Sequence, residues 1–165
     1  MFHYRLFVFL AFTGFLSGLA SFYAAQTQTT GQAAYVPGVI FGIALALFFL
    51  AWRYKLYLAF ACAWIVFSTL SYHLAYWTAV SFYYEPLRNF SFFIAGCIGA
   101  FAMLLSFSLT IERLQFGRLL IGTLLGGGLA LVAVELPNDA ALLNLFLIWQ
   151  TGMAAFIGWA LKEKP

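Results

Sequence analysis

Charge is scarce in this chain, and the scarcity decides its class. Of 165 residues, 8 are Lys or Arg and 5 are Asp or Glu, while 65% are hydrophobic and the mean hydropathy is +0.96. A water-facing globular surface belongs to chains with charge at about a quarter of their positions, so a soluble domain is excluded. Polar loops are scarce too. The longest, Gln26–Ala34 (QTQTTGQAA), is short and uncharged, which leaves no room for a hidden soluble or nucleotide-binding domain. No P-loop or dinucleotide fingerprint occurs.

Residues that carry chemistry are equally thin. The only histidines are His3, at the start of the chain, and His73, well inside an apolar run. Their separation excludes a shared metal or a bis-histidine haem. The two cysteines, Cys62 and Cys97, fall about six residues from one membrane face and about seven from the other. At a rise of about 1.5 Å per residue, those depths differ by more than a disulfide can span, so two separate thiols are expected. No His-Glu-x-x-His zinc motif and no Gly-x-Ser-x-Gly nucleophile elbow are present. No lysine lies within an apolar run to form a retinal Schiff base. The expectation is no cofactor, no metal, no nucleic-acid partner and no identifiable catalytic group.

What the chain does have is six apolar runs: Leu6–Ala25, Tyr35–Trp52, Leu56–Ser81, Phe90–Ile111, Leu119–Val134 and Ala140–Leu161. About 20 apolar residues match a hydrocarbon core roughly 30 Å thick. In that core each run must satisfy its own peptide groups, so helices are required. A β-barrel needs alternating segments, and runs such as Val39–Leu50 do not alternate. Residues 1–25 also carry a basic start and Gly18-Leu19-Ala20, but the apolar stretch is long for a signal peptide. A first span is expected there. The fold class is therefore all-α, a polytopic membrane bundle of six transmembrane helices forming one domain over residues 1–165.

The basic residues orient it. Arg5, Arg53, Lys55, Arg113, Arg118, Lys162 and Lys164 share one side of a six-span layout, and Arg88 alone falls opposite. The positive-inside rule then makes the N- and C-termini cytoplasmic, in the plasma (inner) membrane. The lipid bilayer is the first partner. Tyr4, Trp52, Tyr54 and Trp159 near one boundary, with Tyr23, Tyr35, Tyr83 and Tyr84 near the other, form the aromatic belts such a protein needs.

Small residues recur at helix-packing spacing, as in Gly14, Ser17, Gly18 and Ser21, in Ala95, Gly99, Ala102 and Ser106, and in Gly122 and Gly126. Such faces let helices approach closely in lipid. They are expected to pack within the chain, with a homo-oligomer seam as the other use. The second and fifth runs are short and each has a nearby proline, Pro37 and Pro137, but both prolines map to the same side, which an inverted repeat would not give.

His73 is the one ionisable residue deep in a run, and such groups mark functional sites by default. At helical spacing it shares a stripe with Thr69, Tyr76, Trp77, Val80 and Tyr84. Glu85, Arg88 and Glu135 map to the same outer end. An outward-facing polar and aromatic cleft lined by His73, Tyr76, Trp77, Glu85, Arg88 and Glu135 is the expected ligand site. The bland alternatives are a neutral His73 acting as interhelical glue and a Glu135 that snorkels to the interface. Three function classes follow in order of preference. The first is a transport or solute-binding component taking a small-molecule ligand. The second is a structural or assembly subunit beside other membrane subunits, and the third is an intramembrane enzyme acting on lipid.

Overall fold

The computed structural model describes residues 2–27, 35–51, 58–83, 88–136 and 141–161. Among them are six helices: α1 Phe2–Gln26, α2 Val36–Ala51, α3 Leu58–Phe82, α4 Arg88–Thr110, α5 Phe116–Glu135 and α6 Ala141–Ala160. Each overlaps one of the six apolar runs. Five are long and apolar enough to cross a membrane. The exception is α2, whose 16 residues rise about 24 Å, short of a typical hydrocarbon core.

Helices apolar on all sides are the mark of a membrane span rather than a surface helix. Large side chains point outward along every element, Phe12, Leu47, Val66, Leu109 and Leu124 among them. Seven hydroxyls on these helices are accommodated locally. Thr13, Thr69, Ser71, Thr78, Ser106, Thr110 and Thr123 each donate to the carbonyl four residues back, at 2.6–2.9 Å. That bond removes the need for a water partner. At the end of α5, Leu136 is extended (φ −66°, ψ 125°), the conformation favoured immediately before proline.

Sequence neighbours pack side by side from α1 through α6, and α6 returns to α1. The result is a closed ring of alternating helices, and the closing seam, α1 on α6, is its most extensive contact. Glycine makes that seam. A methyl group at Gly18 would lie 2.8 Å from the Phe146 carbonyl oxygen, and one at Gly158 would lie 2.9 Å from the Phe7 Cα. The α4–α5 seam uses the same device: a methyl group at Gly96 would lie 2.6 Å from Gly126 O, and one at Gly126 would run into the Ala100 methyl. On α2, Gly38 fits against the Thr69 Cα, and its carbonyl accepts the Ser68 hydroxyl at 2.9 Å. The small-residue faces thus hold the chain's own helices together.

The two halves of the ring differ. Toward the ends of α2, α4 and α6 the interior is filled by Phe41, Leu45, Phe49, Trp64, Met103, Phe107, Met153 and Ile157, all fully buried. Trp64 and Phe49 both meet the Phe107 ring, at 6.1 and 5.9 Å. Toward the ends of α1, α3 and α5 small residues such as Ala75, Ala79, Ala95, Gly96 and Gly99 stand among larger ones, and the interior is open.

Candidate functional site

That open half is a chamber of about 310 Å³. Five helices line it. From α3 come Ser71, Tyr72, Ala75, Tyr76, Ala79 and Val80, with Tyr83 just past its end; from α4, Phe92, Ala95, Gly96 and Gly99; from α6, Leu142, Leu145, Phe146 and Trp149; α1 and α5 add Ala25 and Ala130. No residue of α2 lines the chamber walls, and its packing explains why. Gly38 sits level with Thr69 and Tyr72, so the helix begins where the chamber floor lies. Small residues at Ala75, Ala79, Ala95, Gly96 and Gly99 leave the volume that larger side chains fill in the other half.

The floor is aromatic. Tyr72 and Trp149 meet edge to face at 5.2 Å, and Phe41 lies 6.3 Å from each ring. Two polar wall groups are already engaged. The Trp149 indole N–H donates to Gly126 O at 3.1 Å, and the Ser71 hydroxyl donates to Phe67 O at 2.8 Å. The Tyr72 hydroxyl is enclosed beside the Gln150 side chain, without hydrogen-bond geometry to any described residue. Gln150 is itself fully buried. Its Oε1 accepts from the Ser17 hydroxyl at 2.6 Å and its Nε2 donates to Ser21 Oγ at 3.0 Å. This amide locks α6 to α1 next to the floor residue Trp149.

Of the expected site residues, the structure brings Tyr76 to the chamber. His73 is half-buried and makes an edge contact with Trp77 at 6.1 Å, and neither lines the chamber. Trp77 is 53% exposed on the outer surface of the ring. Glu135 is exposed at the end of α5 and stands apart from the wall. Arg88 opens α4, but its side chain, like the whole of Glu85, lies outside the described residues. The chamber face of α3 runs through Tyr72, Ala75, Tyr76, Ala79 and Val80, so it shares Tyr76 and Val80 with the expected stripe, while His73 and Trp77 lie off it.

No family model matches this chain, and no curated protein or solved structure is significantly similar to it.

The site must therefore be read from its own chemistry. Among the described residues no three His, Cys, Asp or Glu side chains lie together as metal ligands would. Cys62 is exposed and Cys97 half-buried, both as free thiols. The chamber offers aromatic faces, aliphatic walls and few free polar atoms, which suits an apolar occupant. Sequence reading missed Tyr72, Phe146, Trp149 and Gln150. Gln150 did carry a signal, a lone amide in the middle of an apolar run.

Proposed function

We propose that this protein is a six-span integral protein of the plasma (inner) membrane, with both termini cytoplasmic, that binds a small and largely apolar molecule as a solute-binding or transport component. The chain forms one membrane domain in this reading. The orientation is supported by the basic residues, all but Arg88 on one side. The short α2 is counted as a span, with its deficit met by local thinning of the bilayer. The binding role rests on one observation: half the ring is filled by a cluster of fully buried side chains, and the other half is hollowed into a partly open, aromatic-lined chamber. A purely structural bundle has no use for such a void, because each lost contact in a core is destabilising.

Filling the chamber tests the reading. With the protein in lipid nanodiscs, saturable binding of 2-ethylnaphthalene is expected for the wild type and is lost in Ala79→Phe. Leu124→Phe, on the outer surface, is expected to bind normally. Undiminished binding by a folded Ala79→Phe protein would place the probe elsewhere and remove the basis for the reading.

A further inference from the structure

The wall chemistry narrows the ligand class further, given the chamber-binding reading above. At the floor, the Trp149 N–H is committed to Gly126 O, the Ser71 hydroxyl to Phe67 O, and the Tyr72 hydroxyl is enclosed away from the void. A polar group placed there would lose its water or headgroup partners and gain none, which is costly in an apolar site. One helical turn above Tyr72 the situation changes. Tyr76 is a half-buried wall residue whose hydroxyl engages no described residue, and it is accessible, unlike that of Tyr72. Its ring is steadied by an edge contact with Trp77 at 5.8 Å. A tyrosine in an apolar wall offers a ligand an aromatic body and one hydroxyl.

We infer that the chamber takes a single-headed apolar molecule, hydrocarbon end first against Tyr72 and Trp149, with its one hydrogen-bonding oxygen held by the Tyr76 hydroxyl. The chemistry is that of a monoketone or an alcohol on a hydrocarbon frame. A fully apolar ligand would leave Tyr76 unused, and a polyfunctional one would place unpaired groups on the floor.

A matched pair of probes, 2-acetylnaphthalene and 2-ethylnaphthalene, differs by a carbonyl in place of a methylene. Both are measured by equilibrium binding in nanodiscs against wild type, Tyr76→Phe and Tyr72→Phe. Ratios between variants cancel partitioning into the lipid. Tyr76→Phe is expected to weaken 2-acetylnaphthalene about three- to tenfold, the range of one net hydrogen bond, and to leave 2-ethylnaphthalene unchanged. Tyr72→Phe is expected to spare both. The infrared carbonyl stretch of bound 2-acetylnaphthalene should be lowered in the wild type and in Tyr72→Phe, and return toward its unbonded frequency only in Tyr76→Phe. Equal binding of both probes by Tyr76→Phe and wild type would overturn the anchor while leaving the chamber reading standing. A selective effect of Tyr72→Phe would reverse the orientation and overturn it equally. Absence of saturable binding of either probe to wild type would remove the chamber reading itself.

Discussion

At the scale of single residues, Gln150 shows how a polar group within the ring acts through pairing. Gln150 is buried at 0% exposure and bridges Ser17 and Ser21, so its amide ties α6 to α1. Interhelical hydrogen bonds within membranes are worth about 0.6 kcal/mol on average and up to about 1.7. Gln150→Leu, which keeps the bulk, is expected to destabilise the protein by roughly 1 kcal/mol in reversible unfolding from detergent micelles. Ser17→Ala should cost less, and the double variant should show coupling between the two sites. Additive effects would mean that the pair does not interact. This residue also shows where sequence reading stopped. Ionisable groups draw attention because their burial is expensive, which selects His73. A helical stripe fixes which residues share a face, but it does not say which face turns inward. Here Ala75 and Ala79 decide the matter, since their small side chains admit the chamber, and His73 and Trp77 fall one position away.

At the scale of helices and their seams, the glycines of α5 provide a sharp contrast. Gly126 faces Ala100 and lies within 3.0 Å, counted from an added methyl, of Gly96 O. Gly128, two residues on, has nothing within 4 Å of such a methyl. Gly126→Leu is expected to lose about 1–3 kcal/mol or more through overpacking. Gly128→Leu should stay within about 0.5 kcal/mol of wild type or gain slightly from helix propensity. Thermal unfolding of the two variants in the same detergent checks both. Similar melting temperatures would contradict the seam geometry. The six helices were legible from the sequence because apolar length dictates them, and Leu136 before Pro137 marks the end of α5. In the run GTLLGGG, sequence favoured Gly122 and Gly126 as a packing face, and both are buried. That the partner is α4 depends on ring closure, which no local pattern encodes.

At the scale of the whole molecule, orientation and hollowness are the two properties to test. In a background with Cys62 and Cys97 replaced, a membrane-impermeant thiol reagent should label Gln28→Cys in intact cells and Lys164→Cys only after permeabilisation. Labelling of both from one side would contradict the six-span arrangement. The division into a packed half and an open half was not legible from the sequence, because both halves are written in the same apolar alphabet. It arises from residue size at facing positions, Phe107, Met103 and Trp64 in one half and Ala75, Ala95, Gly96 and Gly99 in the other. Xenon probes that division most directly, since it occupies dry apolar cavities without needing a polar contact. In crystals of the protein pressurised with xenon, density is expected among Tyr72, Ala95, Phe146 and Trp149, and none between Trp64 and Phe107. An empty chamber, or xenon in the opposite half of the ring, would contradict the structural basis of ligand binding.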